Sequence, residues 1–165
     1  IKKAYNSFNV EMKKTEDKVL RDKFWEKYTL DEMNSMEWEA LCDGCGKCCL
    51  LKLENERQIY LTNIACAQID LHNCRCQNYE KRTELVKNCM SLTKENLKIN
   101  LKWLPYTCSY KLVSDKQSLP PWHHLITKDR NTVHELGFSI KNNCIHETKV
   151  EKKNMRSHVI AEIGN

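Results

Sequence analysis

Apolar residues in this chain occur in short groups that polar segments interrupt every few positions. No group keeps a helical or a strand period for long, so we expect many short elements. The clearest helix is residues 35–41, which follow capping-box patterns at 29–32 and 34–37. Three apolar residues of this helix are expected to pack inward, namely Met36, Trp38 and Leu41.

The other predicted elements are shorter or less regular. Residues 58–62 are rich in strand-forming types, and residues 93–97 and 106–113 are predicted as short helices. Residues 137–146 alternate loosely enough for a strand, and the lysine-rich tail from Glu151 is expected to be helical or frayed. The pattern therefore predicts an irregular α+β fold of short helices and a few short strands.

The length of 165 residues suits one domain with its own core. Residues 1–21 are expected to be a partly disordered N-terminal extension, residues 22–150 the domain, and residues 151–165 a C-terminal tail. No run of about 18 apolar residues exists, so we expect no membrane span. The first residues lack the apolar pattern of a secretory leader, which favours a cytoplasmic protein.

The formal net charge of +5 would suit a nucleic-acid partner if the thiols stayed neutral. Eight thiolates that bind two Zn²⁺ ions would lower the charge by about four, and two oxidised iron–sulfur cubanes would have the same effect. The basic composition is therefore weak evidence for nucleic-acid binding.

The candidate chemistry of the chain lies in its ten cysteines. Four of them fall within eight residues, namely Cys42, Cys45, Cys48 and Cys49. The first three are evenly spaced, and Gly44 and Gly46 allow a loop to wrap them around one centre, as in the cysteine run of ferredoxins. Cys49 projects away from its neighbour, so it could bind a second centre or replace Cys48 at the first.

Five more cysteines follow over about sixty residues, namely Cys66, Cys74, Cys76, Cys89 and Cys108. The nine could supply two four-thiolate sites with one thiol left over, or one site with five free thiols, and we prefer two sites. Cys74 and Cys76 are two residues apart, which fits an extended or turn backbone better than a helix. Residues 22–150 are therefore interpreted as a metal-binding domain organised around one or two cysteine-ligated centres.

Spacing alone does not separate zinc from iron. Structural zinc sites usually pair two C-x₂₋₄-C knuckles, and the single run here slightly favours an iron–sulfur cluster such as 4Fe-4S. His72 is a candidate nitrogen ligand, although an exposed loop histidine is the simpler interpretation. A disulfide scaffold and redox-active thiols are the alternatives, and the length of the chain without an export signal makes metal binding the favoured hypothesis.

No sequence pattern defines a reaction. The chain lacks a Walker loop, an H-E-x-x-H motif and a Ser/His/Asp pattern, and the pair His134 and Glu135 is isolated. A metal protein with a structural or redox role is the first hypothesis. The alternatives are a transferase or oxidoreductase with an open metal centre, and a metal-stabilised module that docks on protein or RNA through the lysine pairs at 2–3, 13–14 and 152–153.

The cysteine run and its surroundings also resemble a known family. The matching segments are residues 24–27, 29–33, 38–39, 41–49, 74–76, 78–79, 107–108, 119–120 and 122–123. On these segments the chain resembles the YcgN-like branch of the YkgJ-type CxxCxxCC family, whose members are small bacterial cytosolic proteins described as chelating zinc or iron. The resemblance implies metal binding without a defined activity.

The resemblance has two limits. Flagellin lysine methylases carry a similar cysteine cluster, but the chain has no glycine-rich loop for a methyl donor, so methyl transfer is not expected. Cys144 lies where the family has no cysteine, so we leave it out of the ligand set and interpret it as a buried thiol of the last strand.

Overall fold

The computed structural model describes residues 19–163. In that part of the chain the α-helices are α1 Phe24–Lys27, α2 Ser35–Ala40, α3 Arg82–Leu85, α4 Leu97–Asn100, α5 Ser109–Ser114, α6 His124–Thr127 and α7 Thr132–Glu135. The strands are β1 Leu50–Glu54, β2 Ile59–Ala65, β3 Ile69–Asp70, β4 Arg75–Cys76, β5 Ile145–His146 and β6 Val159–Ile163. Short 3₁₀ helices cover Leu30–Glu32, Lys47–Cys49, Tyr79–Lys81, Leu101–Trp103, Glu147–Lys149 and Lys152–His158. The predicted irregular α+β fold of short elements is confirmed.

Strand β2 is the centre of the main sheet. β1 and β6 pair with it in antiparallel orientation, and β5 pairs with its end in parallel orientation. β2 has neighbours on both edges, and its β-branched and aromatic residues suit such a position. The strand predicted at 58–62 is confirmed and extends to Ala65, whereas β1 was missing from the sequence prediction. β3 and β4 form a separate two-stranded sheet.

Two clusters of apolar side chains form the core. The first contains Phe24, Met33, Trp38, Ala40, Leu41, Leu97, Leu104, Tyr110, Leu119 and Leu125. The second lies around the main sheet and contains Leu50, Ile59, Leu61, Ala65, Ile69, Cys74, Ile140 and Ile163. Residues 42–49 join α2 of the first cluster to β1 of the second, so the cysteine run lies at the junction between the two clusters.

Helix α2 confirms the helix predicted at 35–41 and begins with a complete capping box. Its Asn34 side chain accepts a hydrogen bond from the Glu37 N–H at 2.9 Å, and the Glu37 carboxylate accepts one from the Asn34 N–H at 3.0 Å. Trp38 and Leu41 are buried as expected. Met36 is not, because it lies on the outer face of the helix with 42% of its surface exposed.

The helix predicted at 106–113 is present with shifted bounds, whereas the helix predicted at 93–97 is wrong except for its last residue. Residues 93–96 form a turn in which Thr93 N–H donates to the Asn96 side chain at 2.9 Å, so α4 begins only at Leu97. Residues 106–108 also form a turn, in which Cys108 N–H donates to the Pro105 carbonyl at 2.9 Å. Helix α5 therefore begins one residue after Cys108.

The strand predicted at 137–146 is wrong for most of its length. Gly137 and Asn142 have φ angles of 74° and 63°, which turn the backbone away from an extended path, so only Ile145–His146 is a strand. Cys144 lies just before this strand and is half-buried, not fully buried. Its strand is not the last one either, since β6 follows.

Residues 152–163 are more ordered than the sequence predicted. Lys152–His158 is 3₁₀ helical, and Val159–Ile163 then forms β6 at the edge of the main sheet, with Ile163 buried in the second cluster. The predicted extension lies mostly outside the described residues. Its last residue, Arg21, is held by the Glu37 carboxylate, with the shortest N–O distance at 2.6 Å.

Candidate metal centre

The cysteine run is a tight loop that depends on its two glycines. Gly44 and Gly46 have φ angles of 78° and 76°, in the left-handed region that residues with a side chain rarely adopt. A Cβ atom on Gly46 would also lie 2.9 Å from the Ile140 side chain. The glycines therefore allow the backbone to turn between the cysteines and to pack against the second cluster.

Hydrogen bonds hold the loop from both sides. The buried Asp43 carboxylate accepts a bond from the Cys45 N–H at 3.0 Å, and the Cys45 carbonyl accepts one from the Ile140 N–H at 2.9 Å. These contacts fix the middle of the run in one conformation. Asp43 was not among the predicted site residues, although an Asp-Gly pair in a loop is the usual signal for such a turn.

Two adjacent histidines fix the entrance to the loop. The Nε2 atoms of His123 and His124 each donate to a carbonyl at the C-terminal end of α2, those of Leu41 at 2.9 Å and Ala40 at 2.8 Å. His123 is fully buried, and its Nδ1 accepts a bond from the Leu125 N–H, which defines its neutral tautomer. Burial lowers the pKa of His123, and burial together with nearby Arg130 lowers the pKa of His124 to about 4.

Four thiols from the loop and from the start of α5 form the first thiol group, namely Cys42, Cys45, Cys48 and Cys108. Burial, together with the neighbouring charges of Cys48 and Asp43, raises the pKa of Cys42 and of Cys108 to about 12. Burial and the charges of Asp43, Cys42 and Cys48 likewise raise the pKa of Cys45. Cys48 is thus the common neighbour of the other three thiols.

The pKa of Cys48 shifts in the opposite direction, below its ordinary value. A hydrogen bond from the adjacent Cys49 thiol lowers the pKa of Cys48 against the effect of burial, and the Lys52 ammonium contributes to the lowering. Lys52 also donates to the Cys48 carbonyl at 2.6 Å. Lys52 was not among the predicted site residues, although it lies in β1 only four residues after Cys48.

A second thiol group consists of Cys49, Cys66, Cys76 and Cys89. The Cys66 N–H donates to the Cys49 carbonyl at 3.0 Å, and the charge of Cys66 raises the pKa of Cys49, after the effects of Cys48 and burial. Burial is the largest cause that raises the pKa of Cys89, and Arg82 lowers this pKa. The charges of Cys66 and Cys76 also raise it. The two thiol groups meet at the adjacent residues Cys48 and Cys49.

Cys74 belongs to neither group. It is buried in the second cluster with a φ of 57°, and burial raises its pKa while hydrogen bonds from Ser139 and Lys141 lower it. Its thiol neighbour is Cys144, whose S–H donates to the Ile140 carbonyl at 3.2 Å. His72 is exposed at the turn before Cys74, consistent with a loop histidine.

The donor chemistry of both thiol groups suits a soft metal, since each has four sulfur atoms and the cysteines are unpaired. Across residues 19–163, however, no three Cys, His, Asp or Glu side chains are close enough to hold an ion as they stand. The thiols of each group are neighbours, but their sulfur atoms do not converge on one point where an ion could bind. The same residues contain no helix that is both long and apolar enough to cross a bilayer.

The fold and the thiol arrangement define a cysteine-rich α+β protein. The chain is 46% identical to the UPF0260 protein of Pectobacterium carotovorum over 129 residues, which cover 77% of this chain and 86% of that protein. It is 46% identical over 143 residues to the UPF0260 protein of Pseudomonas entomophila, covering 86% and 95%. UPF0260 protein YcgN of Escherichia coli is 46% identical over 129 residues, covering 77% and 84%.

The chain therefore belongs to the UPF0260 family, and its resemblance to YcgN-like proteins is confirmed. No family model and no solved structure matches the chain.

Proposed function

We propose that this protein binds a metal centre through cysteine thiolates, as the resemblance to the YkgJ-type CxxCxxCC family suggests. The observation that carries the proposal is the first thiol group, in which Cys48 has Cys42, Cys45 and Cys108 as neighbours. Cys108 comes from a segment 59 residues further along the chain than Cys49. Such convergence of soft donors from separate segments is what a metal site requires and a hydrophobic core does not.

The two thiol groups support a proposal of two centres for the nine candidate ligands. The first would use Cys42, Cys45, Cys48 and Cys108, and the second Cys49, Cys66, Cys76 and Cys89. Cys74 is then the thiol left over, because its neighbours are Ser139, Lys141 and Cys144. Binding would require small side-chain rotations that close each group and the loss of the thiol protons.

The residues around the first group suit an anionic four-thiolate centre. Lys52 places one positive charge beside Cys48, and the backbone N–H groups of Gly44 and Lys47 donate to the sulfur atoms of Cys42 and Cys45. A closed four-thiolate zinc site would be structural, whereas an iron–sulfur cluster would supply electron transfer. Because such thiols stay reduced in the cytoplasm, we also propose a cytoplasmic location.

Metal analysis of protein purified without oxygen tests the proposal. Iron with acid-labile sulfide and visible absorbance would identify a cluster, and colourless protein with stoichiometric zinc would identify a zinc protein. We expect about two four-thiolate centres for each chain. Protein that contains neither metal, and takes up neither after reconstitution, would contradict the proposal.

A further inference from the structure

An open cavity of about 510 Å³ lies beside the cysteine loop, outside both thiol groups. Two arginines line it, Arg75 from β4 and Arg130 from the turn before α7. Arg75 lies close to the loop, since a Cβ on Gly44 would lie 3.1 Å from one of its guanidinium nitrogens. One of the side chains that line the cavity, Arg75, therefore lies against the backbone between Cys42 and Cys45.

The charges that line this cavity are unbalanced. Neither guanidinium makes a hydrogen bond or an ion pair with any other residue between 19 and 163. One carboxylate, that of Glu39, also lines the cavity, but it already accepts a hydrogen bond from the Tyr79 hydroxyl at 2.9 Å. Two cations that face one concavity repel each other, and an anion between them would relieve that repulsion.

The rest of the lining is apolar except for Ser35. Leu20, Met36 and Ala40 form one wall, and Leu20 and Met36 have 45% and 42% of their surfaces exposed. The exposed side of Met36 on the outer face of α2 is an apolar surface that an organic group in the cavity would cover. Guanidinium groups bind carboxylates and phosphates through paired N–H donors.

We propose that this cavity binds a small organic anion, whose carboxylate or phosphate lies between Arg75 and Arg130 and whose apolar part covers Leu20 and Met36. The site goes beyond metal binding and does not depend on it. It would place the ligand beside the loop that carries the first thiol group.

Isothermal titration calorimetry on the purified full chain at low ionic strength tests this site with phenyl phosphate, benzoate and inorganic phosphate. We expect saturable binding of phenyl phosphate or benzoate with one site per chain. Arg75→Gln and Arg130→Gln should each weaken it about tenfold or more, the loss of one charge-assisted bond pair. Arg57→Gln, which removes an exposed arginine away from the cavity, is the matched control and should bind like the unchanged protein.

Three results would overturn the proposal. In the first, neither phenyl phosphate nor benzoate shows saturable binding. In the second, Arg57→Gln weakens binding as much as the two cavity variants do. In the third, Arg130→Gln binds the anion as tightly as the unchanged protein. If inorganic phosphate bound as tightly as phenyl phosphate, the inference that Leu20 and Met36 contribute to binding would be wrong. Metal content measured on the same samples separates the two proposals. If metal-free protein still binds the anion through the arginines, the anion site is supported and the metal proposal fails independently.

Discussion

At the scale of single residues, sequence reasoning found the cysteines but not their surroundings. The spacing of the run from Cys42 to Cys49 identified the loop, and its glycines were correctly expected to relieve it. His124 was not predicted because it reaches the loop only through tertiary folding, and Lys52 was not predicted although it lies only four residues after Cys48. Cys74 could not be separated from Cys76 by spacing, since the difference arises from the positive φ that turns Cys74 into the second cluster.

The division of the thiols predicts different outcomes for individual cysteine substitutions. Cys45→Ser should remove the metal of the first centre and lower thermal stability, because a four-thiolate site loses a ligand. Cys144→Ser should leave metal content unchanged and cost at most about 1–3 kcal/mol through altered burial. Metal analysis with thermal unfolding on both variants measures this. Full metal in Cys45→Ser, or metal loss in Cys144→Ser, would refute the ligand assignment.

Glu37 predicts a pH dependence of stability. Burial raises its pKa, but hydrogen bonds from Arg21 and from the Asn34 N–H outweigh burial and leave the pKa lowered. The folded pKa lies below the unfolded one, so the ionised carboxylate stabilises the fold fully at any pH above the unfolded pKa. This contribution is lost as the pH falls through the folded pKa. Glu37→Gln should therefore cost about 1–3 kcal/mol at neutral pH and progressively less below about pH 4.

Denaturant unfolding at several pH values measures this difference. The matched control is Glu56→Gln, an exposed residue of the turn between β1 and β2. Its stability should follow that of the unchanged protein at every pH. A Glu37→Gln deficit that stayed constant down to acidic pH would show that shape, not charge, is what the helix cap requires.

At the scale of elements, the capping-box pattern predicted a helix correctly, whereas the alternation of apolar and polar residues was a poor guide to strands. Helix α2 was found because Asn34 and Glu37 satisfy its first N–H groups locally. Residues 137–146 misled the prediction because their apolar residues Phe138 and Ile140 pack from a turn, the first against Trp122 at a ring distance of 3.6 Å. β6 was missed because four of its five residues are exposed, so its pairing with β2 leaves no buried pattern in the sequence.

The two glycines with left-handed φ provide a matched test of how the loop element is packed. Gly46→Ala puts a Cβ 2.9 Å from Ile140 in addition to the φ penalty at 76°, so it should cost about 2–4 kcal/mol. Gly137→Ala has a similar φ of 74° but nothing within 4 Å, so it should cost only about 1 kcal/mol. Chemical denaturation measures both, and equal losses would show that close packing at Gly46 is unimportant.

At the scale of the whole molecule, the sequence predicted the class of fold but not its two-part core. Short elements and scattered cysteines indicated that distant segments meet, but which thiols meet depends on the path of β1 and β2 around the loop. The structure shows that Cys42, Cys48 and Cys108 pack against the first cluster, whereas Cys49 packs against the second. The proposed centres would therefore link the two clusters across the bond between Cys48 and Cys49.

That link predicts a global response to metal removal. Each cluster is small, and both adjoin the cysteine run, so chelation should loosen both clusters and not the loop alone. We expect the melting temperature to fall by roughly 10 °C or more, at about 2–4 °C for each kcal/mol in a chain of this size. Amide hydrogen exchange should accelerate in α2 and in β2 together. Exchange that rose only within residues 42–49, with α2 and β2 still protected, would show that the clusters are stable without metal and that the centres do not link them.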